Sequence, residues 1–206
     1  MTGVESVAVR REDVAAAGAT LARAFHDDPR WRAVWPDPAR HEEQVKAMFT
    51  ALVATTRVAP APARWLPDAS GVALWAQPGT SLGIMASLRA GFALQRLVLG
   101  MRSDERDRFL PTLTMLDKRR QALVDVPHWY LQAIGVDPAH HGKGFGTALV
   151  GEGLARARRD AAPVYLETEM ESNVAFYERL GFRVLEKHEV DLLDGLPVWL
   201  MRADPA

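Results

Sequence analysis

Residues 128–147, HWYLQAIGVDPAHHGKGFGT, constrain the fold more than any other stretch of the chain. Trp129 to Val136 is an apolar run rich in aromatic and branched side chains. It is bounded by Pro127 on one side and Asp137-Pro138 on the other, which predicts a buried strand. Glycines then stand at alternate positions, Gly142, Gly144 and Gly146, so the backbone can bend tightly and a ligand can approach bare main chain. Beyond them Phe145, Leu149, Leu154 and Ala157 recur near helical spacing, so the turn opens a helix. The first amides of a helix have no internal acceptors. With the helix dipole they make an anion site well suited to a pyrophosphate.

Three phosphate-binding patterns compete for this turn. A Walker A loop needs GxxxxGK followed by Ser or Thr, and the spacing fails. A dinucleotide fingerprint needs GxGxxG; Gly142 and Gly144 fit its first half, but Thr147 occupies the last glycine position. The third pattern fits best. HGKGFG, after a strand ending AIGV, resembles the acetyl-CoA loop of the GNAT acetyltransferase superfamily, in which Gln or Arg precedes a GxG followed by Ala or Gly. Gly144 and Gly146 match; His141 stands where Gln or Arg is usual, and Thr147 follows the last glycine. Further on, VYLETE and SNVAFYERLGFRV strengthen the resemblance. With ALWAQP near residue 75, the motifs look most like puromycin N-acetyltransferases and their relatives. The likeness is dense over 128–185 and thin before residue 60.

Composition bounds the rest. A chain of 206 residues buries enough surface, roughly 70% of that of the unfolded chain, for one domain with a real core. The expected organisation is a single domain over residues 1–206 with its acetyl-CoA-binding core at 128–185. A formal net charge of −1 points away from nucleic acid. The absence of cysteine excludes a disulfide framework and a covalent cysteine mechanism. Histidines without metal-ligand spacing predict no metal. Residues 81–101 are apolar and helical, but Arg89, Gln95 and Arg96 interrupt them, so no membrane span is expected. With no basic-then-apolar leader at Met1 to Val9, a cytoplasmic protein is expected, as monomer or homodimer.

The remaining pattern reads as a mixed α/β domain. A strand at 4–10 precedes a helix lined by Val14, Ala17, Leu21 and Phe25, which Asp28-Pro29 ends. A proline-bounded segment carries Trp31 and Trp35 over residues 30–38, and a helix follows at 40–56. APAPA at 59–63 is a short connection. A hairpin pairs 64–66 with 71–76. The apolar helix at 81–101 and a helix at 104–123, kinked or restarted at Pro111, form a helical pair between the third and fourth strands. Its Lys118-Arg119-Arg120 cluster reads as a solvated helix end. Strands at 164–169, 182–191 and 197–202 and a short helix at 173–180, stopped by Gly181, complete the order. The resemblance implies the acyl-CoA acyltransferase fold, a central mixed, mostly antiparallel sheet flanked by helices.

The resemblance also implies roles. Pantetheine of acetyl-CoA would pair with the backbone at Ile134 and Val136, where the central strand splays from its neighbour. The pyrophosphate would sit on His141, Gly142, Lys143, Gly144, Phe145, Gly146 and Thr147, although Lys143 also reads as a solvent-facing lysine. Asn173 resembles the family's side-chain contact to the cofactor, and alternatively a helix cap. Acetyl transfer needs a neutral amine, donors for the oxyanion and a proton for the departing thiolate. Tyr177 in FYERLGF resembles the proton donor, and the backbone N–H near Val136 the oxyanion donor.

The base is less plain. Tyr130 stands where some relatives carry glutamate, and strand parity puts Tyr130, Gln132 and Ile134 on one face. Glu167 on the next strand is the better base, through water; Glu169 and His128 are further candidates. Glu169 replaces the small serine that follows LET in puromycin acetyltransferases. Phe25, Trp31, Trp35 and Tyr130 would line the acceptor pocket or belong to the core. A lysine-type amine of pKa about 10.4 loses its proton at a cost of about 4.6 kcal/mol at pH 7, and an α-amine near pKa 8 at about 1.4 kcal/mol. A weak or water-relayed base therefore favours an aminoacyl or aromatic amine. The expected function is acetyl-CoA-dependent N-acetylation of a small primary amine by direct attack. The alternatives are a protein or peptide acetyltransferase and a catalytically inactive acyl-CoA sensor.

Overall fold

The structure, a computed structural model, describes residues 6–57, 63–66, 68–79 and 92–205. Most of the connection at 59–63 and the first part of the apolar stretch, residues 81–91, lie outside these. The chain order begins with β1 (Val7–Ala8), α1 (Val14–Ala24), α2 (Pro29–Val34), α3 (Pro38–Arg57), β2 (Arg64–Trp65) and β3 (Gly71–Ala76). The helical pair follows, α4 (Ala93–Gly100) and α5 (Ser103–Leu123). The C-terminal half is β4 (Trp129–Val136), α6 (Phe145–Arg159), β5 (Val164–Thr168), α7 (Glu171–Glu178), β6 (Arg183–Val190) and β7 (Leu196–Ala203).

Two elements depart from the sequence expectation for local reasons. Asp28-Pro29 ends α1 but also starts α2: the Asp28 carboxylate accepts from the backbone N–H of Arg30 and Trp31, and Pro29 occupies the first turn. Pro111 neither ends nor restarts α5, which runs through it as one helix. The helix C-terminal to it is carried by Thr112 and Leu116, both buried.

Among the described residues the strands form one sheet in the order β1-β2-β3-β4-β5-β7-β6. Every neighbouring pair is antiparallel except β4 and β5. The apolar residues divide between its faces. Leu21, Phe49, Leu74 and Ala133 belong to the core under α1 and α3, while Trp75, Leu131, Leu149 and Leu166 belong to the core under α6 and α7.

The division exposes a break in the pleat of β4. Leu74 of β3 faces Ala133, and Trp75 faces Leu131, so Gln132 is an extra residue opposite one peptide of β3. This is a β-bulge, and it resets the alternation of faces. Tyr130 and Ala133 lie on the α1/α3 face, whereas Leu131 and Ile134 pack with the α6 core. Gln132 also points to the α3 side, where its side-chain carbonyl accepts from the Thr56 hydroxyl at 3.2 Å. Strict parity therefore fails: Tyr130 and Gln132 share a face, and Ile134 is turned to the other.

The site is set by how β4 meets β5. Their pairing is limited to Trp129 with Val164 and Tyr130 with Tyr165, backed by a bond from Trp129 N–H to the Pro163 carbonyl at 2.8 Å. Beyond Tyr130 the strands part. β4 stays paired to β3 as far as Val136, and β5 stays paired to β7 as far as Thr168. Two backbone edges thus face each other without a ladder between them.

Candidate active site

A cavity of about 690 Å³ opens at this parting of the strands. Leu131 and Ile134 of β4, Thr168 of β5, and Asn173 and Tyr177 of α7 border it on the side where the edges separate. It continues beneath the α1/α3 face, where Phe25, Trp31, Met48, Phe49 and Phe109 make an apolar wall. Phe25 and Phe49 meet at 4.7 Å between ring centroids, and Phe109 stands 6.3 Å from Trp31. Of the tryptophans expected in the pocket, Trp31 borders the cavity. Trp35 does not: it stacks on Trp31 at 5.5 Å and is 1% exposed, a core residue held between α2 and Phe109.

The polar groups converge at one wall. Arg30, near the start of α2, reaches β5 and donates to both Glu169 and Glu167, the latter at 3.4 Å. All these side chains are nearly enclosed, at 12% exposure for Arg30, 5% for Glu167 and 8% for Glu169. The Tyr130 hydroxyl donates to Glu167 Oε2 at 3.4 Å and the Tyr165 hydroxyl to Oε1 at 3.2 Å. Burial pushes the Glu167 carboxyl above the usual carboxylate range, against the Arg30 charge, which pulls it down. Burial raises Glu169 in the same way, again opposed by Arg30. For Arg30, burial works against the charged form, but Glu169, Glu167 and Asp28 more than offset it and the guanidinium stays protonated. The wall therefore gathers three carboxyl groups, Asp28, Glu167 and Glu169, around the Arg30 guanidinium, and burial pushes all three upward.

Tyr177 lies across the opening, flanked by Phe176 and Phe182 at 5.1 and 5.6 Å. Burial, and then the charge of Glu169, raise its hydroxyl above the ordinary phenol value, so it stays protonated throughout the physiological range. At the far end of the cavity Arg120 lies over the Tyr130 ring at 5.1 Å and donates to Asp117 and toward His128 Nε2 at 3.0 Å. Arg120 is thus part of the cavity wall and not a solvated helix end; its neighbour Arg119 turns away to pair with Glu186.

The glycine turn sits at the surface beyond β4, outside this cavity. Gly142 and Gly144 both take positive φ, at 76° and 80°, and Gly144 caps α6 in the left-handed region. The first helix-closing bond runs from Ala148 N–H to the Gly144 carbonyl at 3.0 Å, so the amides of Phe145, Gly146 and Thr147 have no partner within the helix. His141 folds back and places Nε2 3.0 Å from the Val136 carbonyl, tying the turn to the end of β4. Lys143 is exposed. Asn173 is no helix cap: α7 begins two residues earlier, and the Asn173 amide donates to the Thr168 hydroxyl at 3.3 Å. The free edges of β4 and β5 suit an extended amide-bearing arm, and the open amides at the start of α6 suit a phosphate.

Sequence reasoning missed Arg30, Asp28 and Arg120. A signal existed for the first two, because Asp followed by Pro marks a helix start as readily as a stop. Read so, it places Arg30 in the first turn of a new helix. No comparable signal distinguishes Arg120 from its basic neighbours.

The family model for the acetyltransferase (GNAT) family matches residues 99–182, which span α5, β4, the glycine turn, α6, β5 and α7. An uncharacterised N-acetyltransferase of Schizosaccharomyces pombe is 30% identical over 184 residues, 84% of this chain and 72% of that protein. The crystal structure of a histone acetyltransferase HPA2 and related acetyltransferase from Corynebacterium glutamicum superposes with a TM-score of 0.69 at 25% identity, covering 98% of this chain and 96% of that one. Arylalkylamine N-acetyltransferase 2 of Aedes aegypti shares the fold at a TM-score of 0.62 and 14% identity, covering 98% and 99%. The class that fold and site define is an acyltransferase working at a parted pair of strands. The chain belongs to the GNAT acetyltransferase family, whose members use acetyl-CoA. Among the described residues no helix is long and apolar enough to cross a membrane, and no cluster of His, Asp or Glu could hold a metal ion.

Proposed function

We propose that this protein transfers the acetyl group of acetyl-CoA to the primary amine of a small molecule, by direct attack with both substrates bound. One observation carries the reading. The unpaired edges of β4 and β5 open into the same cavity as a buried carboxylate wall and a protonated tyrosine, Tyr177. Bound acetyl-CoA supplies an activated thioester. Its pantetheine arm is assigned to the β4 edge at Ile134 and Val136, its phosphates to the amides from Gly142 to Thr147, and Asn173 to a side-chain contact.

The chain's own residues then divide the proton work. The excess of carboxylate at the wall favours an acceptor arriving as an ammonium ion. Glu167, directly or through water, takes the proton that frees the amine. As the tetrahedral intermediate collapses and the carbon–sulfur bond breaks, Tyr177 gives its proton to the departing sulfur, and the second proton lost from the nitrogen restores the phenol through solvent. The apolar wall of Phe25, Trp31 and Phe49 favours an acceptor with an aromatic or apolar body beside the nitrogen, such as the α-amine of a puromycin-like aminoacyl group.

The test is a panel of amines with acetyl-CoA, read by release of free thiol. Aminoacyl amides and aromatic α-amines are expected to exceed polyamines and lysine peptides in kcat/KM. A tenfold or greater preference for lysine peptides or polyamines overturns the acceptor assignment. Absence of turnover with every amine, alongside tight acetyl-CoA binding, overturns the enzymatic reading in favour of a sensor. Glu167→Gln is expected to lower turnover about 10²- to 10⁴-fold and to remove the acid limb of the pH profile.

A further inference from the structure

Glu167 lies on β5 and Glu169 just past its end; both line the cavity and both side chains are buried. By residue type they are equivalent. What separates them is Arg30. Its Nη2 is in close contact with Glu169 Oε1 and stands 3.4 Å from Glu167 Oε2. The remaining Glu167 contacts are two tyrosine hydroxyls, at 3.2 and 3.4 Å, so of the two ion pairs to Arg30 that of Glu167 is the longer.

We propose that Arg30 is a positioning residue that gives the two glutamates different roles, holding Glu169 as its ion-pair partner and leaving Glu167 as the proton acceptor. The inference rests on the reading of Glu167 as the base. Two like charges this close on one buried wall disfavour each other's ionisation, so without a cation one carboxyl keeps its proton at neutral pH. Arg30 removes that penalty by neutralising one of the pair. Its own position is fixed by the chain: Asp28 caps α2 and Pro29 sets its first turn, which delivers Arg30 to β5. A single nitrogen, Nη2, meets both carboxylates, so the charge and its placement matter more than the fork.

The charged and titratable groups around Glu167 all enter the argument. Arg30 faces it from α2, Tyr130 from β4, Tyr165 from β5 itself and Glu169 from just past the end of β5, while Asp28, which caps α2, acts on Arg30 and Glu169. Arg120 of α5 acts from across the Tyr130 ring, His128 packs on Tyr165, and Tyr177 of α7 lies on the Glu169 side. Of these, Arg30 lowers the Glu167 carboxyl and Glu169 raises it, in addition to the larger effect of burial. The two neighbours therefore act with opposite signs, which makes the proposal testable by direction and not only by loss.

The experiment is the pH dependence of kcat/KM for the full-length enzyme with acetyl-CoA and its best amine. The acid limb reports the base, which must be ionised to work. Arg30→Gln removes the opposite charge and is expected to move the acid limb up by about one pH unit or more. Glu169→Gln removes the like charge, frees Arg30 for Glu167 and is expected to move the limb down. Arg30→Lys keeps the charge and is expected to restore the limb most of the way toward wild type. A limb that is unmoved in folded Arg30→Gln and Glu169→Gln, or that moves the same way in both, overturns the proposal. Should Arg30→Gln fail to fold, the downward shift in Glu169→Gln decides alone. The result also separates this inference from the one beneath it. If Glu167→Gln leaves the acid limb intact, the base assignment itself is wrong. If Glu167→Gln abolishes the limb but the other two variants leave it unmoved, Arg30 alone has been misread.

Discussion

The two edges of β4 make opposite use of the same eight residues. Toward β3 the strand is paired from Tyr130 to Val136, with one bulge. Toward β5 the pairing ends at Tyr130. An unpaired buried backbone group costs free energy, so an edge left open inside a domain is tolerated only where water or a ligand completes it. The β3 edge is paired throughout, and the β5 edge is the one assigned to the site. The bulge links the two, because the residue inserted against β3 turns Tyr130 and Gln132 toward the α1/α3 face and Ile134 toward α6. A strand that kept strict alternation would send Ile134 into the acceptor side of the cavity.

The largest effect that sharpens this comparison is expected at the open edge. Tyr177→Phe keeps the ring between Phe176 and Phe182 and removes only the hydroxyl. Turnover should fall about 10²- to 10⁴-fold, with acetyl-CoA affinity and thermal stability near wild type. Steady-state kinetics on an acceptor for which chemistry limits the rate, together with calorimetry, would measure both. A variant with wild-type kcat would assign Tyr177 to packing and remove the proton donor from the β5 side.

The paired edge should answer in the other currency, stability without chemistry. Trp75 on β3 pairs with Leu131 and lies flat against α6, so that a Cβ on Gly153 would sit 2.1 Å from its ring. Gly153→Ala must push helix and strand apart, a cost of about 1–3 kcal/mol for overpacking. At this chain length the melting temperature should fall by about 2–4 °C per kcal/mol. The specific activity of the folded enzyme should be preserved. A large loss of kcat with little loss of stability would show that the β3 edge takes part in the chemistry, and the division between the edges would fail.

The same division explains what the sequence disclosed. The β4 run from Trp129 to Val136 was legible to its bounds, because a continuous apolar stretch between turn residues is a local signal. So was the glycine turn, since Gly142 and Gly144 take the positive φ that alternate glycines suggest. Of the helical pair before β4, α5 and the described part of the first helix, Ala93–Gly100, also followed from pattern, whereas the mixed sheet followed from the family resemblance. The bulge at Gln132 did not, because it depends on register against β3, a non-local property. Trp35 was misplaced for a related reason: an aromatic after the first helix looks the same whether it fills a pocket or a core, and only its stack on Trp31 settles which. Arg30 and Glu167 are 137 residues apart. Nothing local to either residue announces a pair that the fold creates by laying the first turn of α2 against β5.

The smallest expected effect lies at the glycine turn, where scaffold and site meet. Gly144 caps α6 at φ 80°, and a Cβ built on it would meet nothing within 4 Å. Any stability cost of Gly144→Ala is therefore backbone strain alone, about 1 kcal/mol for holding an L-residue in the left-handed region. Packing contributes nothing to that cost, and Gly144 immediately precedes the open amides of Phe145, Gly146 and Thr147. If those amides receive the phosphates of acetyl-CoA, the variant should bind acetyl-CoA more weakly while keeping kcat at saturation close to wild type. Calorimetric titration and thermal melts on one preparation separate the two costs. Weaker binding than backbone strain explains places the phosphates at the turn. A melting shift of the expected size with unchanged affinity would mean that Gly144 serves only to start α6, and the anion site would have to be sought along the β4 edge.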